Sequence, residues 1–534
     1  MNVDCYPIAA LPHISPLFRD YASGREETLR SFYSSYASRN QWMQRPGQID
    51  PQLRQSVVSQ LRAQNRDYGA GPATEANLDR LAEGAAAVVT GQQVALFGGP
   101  LLTLLKAATA IRLAADASRL GQPHVPVFWL ASEDHDFDEI NQAIFPTAHG
   151  LDTLRLPHNP GPGKPVGNLP LGGAILPVVE ELQRCLGENS ISQLLTSLYV
   201  PTATFASAFA AFLSRIFSEH GLIVIDASTR TFHALAHSTL RAAIEQADEL
   251  HDALLERSRT LENAGYHAQV LVAGSSSLLF LIDASTGARN ALKRVSKDVW
   301  SAANRQYSAS ELIAILEETP ERISPNALLR PVMQDTLLPT SAYVGGPAEV
   351  AYFAQSDVVY QRILGHATPI VPRFSATLVE PHLARLLHQH QLALTDVFTT
   401  ENALAQRLGA RAMPVEGKRK LAAAGNALDR ELKALTSWMA AQDSGLGHAA
   451  EVATSKMLYQ MSRLRRLSAT FELQREQSLR RHAEALCRTL FPKNNLQERV
   501  LAGACFLSPL EAPLLDTLVE RAQPGDCGHY ALLL

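Results

Sequence analysis

The chain has 534 residues, 46% apolar and 19% charged, with a net charge of −4. That length exceeds what one hydrophobic core serves and predicts roughly three to four structural units. The near-neutral balance excludes bulk binding of nucleic acid or of an acidic membrane, because neither meets a strong positive field. No run of about 18 to 20 apolar residues marks a transmembrane span, and the start Met1-Asn2-Val3-Asp4-Cys5-Tyr6-Pro7 has no basic, apolar leader pattern. Cysteines 5, 185, 487, 505 and 527 lack CxxC spacing and scaffold density. They read as free thiols of a cytoplasmic protein with no structural zinc site.

Residues 14 to 83 alternate helical stretches with Pro and Gly breaks, including a helix over Pro51 to Asp67 in which Leu53, Val57 and Leu61 recur every four residues. Ala85 to Val89 reads as a strand, Gly91 to Gly99 as a loop and Pro100 to Leu120 as a helix with proline in its first turn. A second apolar run, Val127 to Leu130, empties into Ser132-Glu133-Asp134-His135-Asp136. Prolines at 146, 157, 160, 162, 165 and 170 then break regular structure, which predicts an inserted module.

Gly221 to Asp226 returns as a buried strand, and His233 to Ala264 is helical. Val270-Leu271-Val272 and Leu278 to Ile282 flank Gly274-Ser275-Ser276-Ser277 as a hairpin. Ser341 to Val344 runs into Gly345-Gly346-Pro347 and another helix, and Pro369 to Pro372 ends at Arg373. From about Leu383 to Leu490 the chain is mostly helical, broken near residues 442 to 447. Met457, Met461, Leu464 and Phe471 keep an approximate heptad spacing, which predicts two long helices folded back on each other. A tail ending in His529 to Leu534 rejoins the core.

Chemistry concentrates in two loops. Gly91, Gly98 and Gly99 leave room for a ligand, and the helix opening at Pro100 offers free N–H groups to an anion. Lys106 can reach a phosphate there while Gln92 and Gln93 orient it. On the second loop, Glu133, Asp134, His135, Asp136, Asp138 and Glu139 crowd seven positions, so a cation or a substrate amine must offset their repulsion. Asp134 and Asp136 suit an ammonium or the Mg²⁺ of a nucleotide, and His135 suits a general base. Gly345 and Gly346 form either a second phosphate turn or a plain turn. Arg330, Asp335 and Arg373 lie near that strand end, where the arginines would clamp a carboxylate or serve in structural ion pairs.

Thr90-Gly91-Gln92-Gln93 with Gly99-Pro100, Glu133-Asp134-His135-Asp136-Phe137 with Glu139-Ile140-Asn141, and Leu329-Arg330-Pro331 with Gln334 to Thr340 form an ordered set of blocks. Together with Tyr343 to Pro347 and Asn495 to Arg499, they span nearly the whole chain. This set resembles the cysteine ligase family of bacillithiol biosynthesis, BshC. The family's Leu-Phe-Thr-Gly-Pro stretch is replaced here by Phe97-Gly98-Gly99-Pro100, which removes one hydroxyl contact.

The resemblance implies an α/β fold with a Rossmann-like core related to class I aminoacyl-tRNA synthetases, inserted connective segments and a long antiparallel coiled-coil extension that forms a homodimer. HIGH and KMSKS signatures are absent, so no ATP motif carries over from the synthetases. On this reading residues 1–145 hold N-terminal helices and the first half of the core, 146–215 an inserted segment and 216–382 the second half. Residues 383–490 hold the coiled coil, and 491–534 return to the core.

The activity implied is the joining of cysteine to glucosaminyl-malate, giving bacillithiol, with ATP or another nucleotide and Mg²⁺ activating the cysteine carboxylate. Catalysis then falls to His135, Asp134 and Asp136. Binding falls to Gly91, Gln92, Gln93, Gly98, Gly99, Lys106, Glu133, Arg330, Asp335, Gly345, Gly346 and Arg373. A dimeric nucleotide-binding scaffold, or another acyl or nucleotidyl transferase on the same core, is the alternative.

Overall fold

A computed structural model describes residues 3–44, 49–147, 150–157, 161–523 and 528–534. Two compact units emerge, one holding Asp4–Ala376 with Glu498–Tyr530 and the other built on Thr377–Gln497.

The first unit is organised by five parallel strands: β1 (Ala86–Gln93), β2 (His124–Ala131), β3 (Ile223–Ile225), β4 (Thr340–Gly345) and β5 (Ile370–Pro372). Their spatial order is β5-β4-β1-β2-β3, every pair parallel. This is the doubly wound α/β order, with its switch point between β1 and β4.

Alternation along the strands builds two cores. Ala87, Val89, Val125, Val127 and Trp129 face one layer, which includes Val57, Val58 and Leu61 of the helix Pro51–Asp67. Val88, Ala342, Val344 and Val371 face the other, against Ala110, Leu113 and Ala114 of the helix Leu102–Arg119. Strand β1 outruns its expected end at Val89 because Gly91 continues the ladder. A side chain there would press within 2.8 Å of the Trp129 carbonyl oxygen.

The expected hairpin shifts in register. Ser276–Ile282 pairs antiparallel with Arg289–Ser296, and three more strands complete a second, antiparallel sheet. Val270 is held outside it by Gln355, whose side chain bonds both its backbone N–H and its carbonyl. The stretch 233–264 is three helices rather than one, Arg230–Leu235, His237–Glu245 and Ala247–Asn263.

Within the same unit, the helix Ala504–Arg521 lies near Leu102–Arg119. Arg112 donates to the Glu520 carbonyl, and Ala502 N–H to the Ile144 carbonyl.

In the second unit the helices Val415–Gln442 and Ser444–Arg475 form an antiparallel hairpin. Thr436 bonds Thr454, Gly425 faces Met461 and Arg465, and Gly447 packs on Ala440. Cys185 and Cys487 are free thiols, but Cys5 is disulfide-bonded, which corrects the expectation for that residue. Cys527 and Pro160 lie outside the described residues. Among the described residues no helix is long and apolar enough to cross a membrane.

Candidate active site

Beyond the carboxyl end of β2, Trp129 to His135 wall a cavity of about 580 Å³, closed by the antiparallel sheet and by Pro325 to Arg330. This is where ligands collect in open α/β sheets. The expected residues Glu133, Asp134, His135 and Arg330 share this lining with Arg289, Lys293 and His251.

The acidic loop is tightly held. Gln93 Nε2 donates to Asp134 Oδ2 at 2.8 Å and to Glu139 Oε2 at 2.5 Å. Asp134 Oδ1 accepts the His135 N–H at 2.7 Å and the Asp136 N–H at 3.4 Å. From outside, Val166 N–H bonds the Asp134 carbonyl and Gly167 N–H the Ser132 carbonyl. Gly167 lies so close to Ser132 that a side chain has no room. The turn satisfies its own carboxylate, which explains how the crowded acids coexist.

Opposite stands Arg289. Its guanidinium lies 3.6 Å from the Phe280 ring centroid, donates to Ser324 Oγ at 3.0 Å and the Pro325 carbonyl at 2.8 Å, and reaches His135 Nδ1 at 3.3 Å. Guanidinium only donates, so in that contact Nδ1 is the acceptor.

Glu133 faces His233 Nε2 at 3.2 Å, and His233 Nδ1 lies 3.0 Å from the Ile323 carbonyl. Burial opposes both charges, yet the pairing prevails. Glu133 is held below the ordinary carboxyl range by His233, with Arg289 and Ser324 assisting, and His233 is raised by Glu133.

Arg330 reaches Tyr352 Oη at 2.9 Å, Gln334 Oε1 at 3.3 Å and Tyr343 Oη at 3.4 Å, all neutral groups. Glu349, which holds the Tyr343 hydroxyl, also acts on that charge, and Arg330 lines the cavity where a ligand carboxylate would meet it.

Other expected binding residues fill the switch point instead. Lys106 Nζ is saturated by Gly91 O at 2.8 Å, Gln92 Oε1 at 2.9 Å and Glu349 Oε2 at 2.7 Å. Glu349 also accepts the Gly346 N–H and the Tyr343 hydroxyl. Burial lowers the Lys106 ammonium; burial also works against Glu349, but Lys106 overrides it and leaves that carboxyl below its usual range. Lys106 thus ties β1 to the helix Pro347–Ile363 rather than reaching for phosphate. Gly345 is close-packed on Ile370, and Gly346 serves that helix start.

Five further expectations are corrected. Gly98 and Gly99 have positive φ of 82° and 73° and sit among aromatic rings, with Phe212 over Gly98 and Tyr199 Oη bonded to its N–H. The helix start beside them is closed by the chain itself, since Leu101 N–H bonds the Leu501 carbonyl and Gly503 N–H the Gly99 carbonyl. Arg373 is buried against Glu498, with contacts of 2.5 and 3.1 Å. Asp335 takes the Thr368 hydroxyl and Gln334 Nε2, away from the cavity lining. Asp136 is exposed and outside that lining.

The glycine loop therefore does not fit the phosphates of ATP: Phe212 fills the space at Gly98, and the Gly98, Gly99 and Leu101 N–H groups bond Tyr199 Oη and the Leu96 and Leu501 carbonyls. Among the described residues no group of three or more His, Cys, Asp or Glu side chains could hold a metal ion.

Sequence reasoning missed Arg289, Lys293 and His233. The first two ride on an inserted sheet whose register was misjudged. His233 follows a strand ending in a carboxylate, and the same carboxyl-end rule that marked β2 pointed to it.

The model of the BshC N-terminal Rossmann-like domain of bacillithiol biosynthesis matches residues 1–374, and that of the BshC C-terminal coiled-coil domain matches 376–534. A relative from Koribacter versatilis is 41% identical over the whole of both chains. Others from Solibacter usitatus and Salinibacter ruber are 35% identical over 95% of each chain and 33% identical over 98% of this chain and 97% of the relative. Each bears the name "Putative cysteine ligase BshC". With a parallel Rossmann-like core and a long helical hairpin matching both domain models end to end, the chain belongs to the BshC family of bacillithiol biosynthesis.

Proposed function

We propose that this protein is an amide-forming ligase that joins cysteine to glucosaminyl-malate, giving bacillithiol. The observation that carries the reading is the cavity itself, in which Arg289, Lys293 and Arg330 share one space with Glu133, Asp134 and His135. Such a site takes a substrate bearing both carboxylates and an amine. The names of the relatives supply the reaction class.

Arg330, hydrogen-bonded to Tyr352, Gln334 and Tyr343, receives a malate carboxylate in two-point fashion. A second carboxylate draws Arg289 away from His135 Nδ1, and the freed nitrogen takes the proton that the attacking amine loses. Gln93 and the loop N–H groups keep Asp134 in place beside it. Holding both reactants in one crevice supplies much of the rate.

Activation of the cysteine carboxylate needs an energy source, and ATP with Mg²⁺ is the reading carried from the sequence. The Gly98 loop does not fit that group. The long helices expose Trp438, Leu464, Leu467 and Phe471, a face suited to pairing with a second copy. Sedimentation of wild type against Trp438→Glu tests the homodimer.

The functional test incubates purified protein with cysteine and glucosaminyl-malate, with and without ATP·Mg²⁺, and reads bacillithiol by mass spectrometry. Product in the complete mixture supports the ligase. Binding of glucosaminyl-malate without product under any condition would falsify it in favour of a scaffold.

A further inference from the structure

His233 is fully buried behind the acidic loop, in the helix that follows β3. One ring nitrogen lies 3.0 Å from the Ile323 carbonyl and the other 3.2 Å from Glu133 Oε1, an ion-pair contact in which the two buried atoms are not aligned for a hydrogen bond. An imidazolium so placed sets its charge directly against the Glu133 carboxylate. Burying a charged pair is costly, and an apolar pair would serve packing better. Glu133 spends that cost at the cavity wall, where its side chain retains 15% exposure.

We propose that His233 is a positioning residue: clamped by Ile323, it fixes the Glu133 carboxylate as the docking point for the ammonium of the amine-bearing substrate. This rests on the ligase reading above. The arginines receive the carboxylate end of that substrate, so Glu133 sets which end enters where. His135, two residues along the same loop, then meets the amine after it has docked.

The test is equilibrium binding, by calorimetry on the full-length protein, of glucosaminyl-malate and of glucosyl-malate, which carries a hydroxyl in place of the ammonium. Wild type is expected to prefer the amine by roughly tenfold or more, the usual gain of a charge-assisted hydrogen bond. Glu133→Gln and His233→Gln are each expected to abolish the preference while still binding glucosyl-malate. A preference that survives in either variant overturns the proposal and leaves the ligase reading standing. Failure of wild type to bind either compound overturns the ligase reading, and the proposal with it. If His233→Gln does not fold, ring ¹⁵N spectra of wild-type histidines decide. A ring protonated on both nitrogens that shifts with glucosaminyl-malate but not glucosyl-malate supports the proposal, and a His233 ring indifferent to both overturns it.

Discussion

The ring of Phe212 occupies the space that a side chain at Gly98 would need, and Gly98 itself has φ of 82°. The glycine is therefore a packing requirement. Gly98→Ala should destabilise the fold by about 2 to 4 kcal/mol, overpacking and left-handed strain together. Urea unfolding measures this, and the protein that still folds should keep its ligand affinity. A variant of native stability with lost affinity would return the loop to a binding role.

Arg373 and Glu498 pin the returning segment to the core. Burial works against the Glu498 carboxyl, but Arg373 overrides it and holds it at about 2. Its folded value lies below the unfolded one near ~4.3, so its stabilisation is present above that pH and lost as pH falls toward 2. Glu498→Gln, which strands the Arg373 charge, should cost about 3 to 5 kcal/mol at pH 7. Unfolding curves taken between pH 7 and 3 should show the gap narrowing below about pH 4; a gap independent of pH would count against the pairing.

Asp335 behaves in the opposite sense. Burial pushes its carboxyl up to about 6. Folded protein keeps that proton where unfolded chain, near ~3.9, has released it, so the contribution is fullest at low pH and is lost as pH rises through 6. Asp335→Asn should therefore gain stability relative to wild type between pH 4 and 8, by at most about 3 kcal/mol. Thermal melts across that range check the direction, and an unchanged difference would show Asp335 ionised in the fold.

Arg330→Met keeps the stem and removes the charge. Glucosaminyl-malate affinity should fall roughly 10- to 100-fold with little change in melting temperature. An unaltered affinity would move the carboxylate site elsewhere.

His135 is 43% exposed at its side chain, so its removal should hardly disturb packing. In the ligase assay His135→Ala should lower kcat by roughly 10² to 10⁴ while stability changes little. Parallel loss of both would mark it as structural.

What the sequence by itself determined was the α/β class, the strands of the parallel core, the helical hairpin and the acidic loop, because these rest on local periodicity and on which residue types follow a strand. Glu133, Asp134, His135 and Arg330 were legible for that reason. Whether a glycine, lysine or arginine faces a ligand or a neighbour was not. Lys106, Gly98 and Arg373 carry the residue types of a phosphate site, yet Glu349, Phe212 and Glu498, from remote stretches, occupy them. Conversely, Arg289 and His233 enter the site only because an inserted sheet and a later strand fold against β2. Each partnership is set by tertiary packing across long separations, which short-range sequence pattern does not encode.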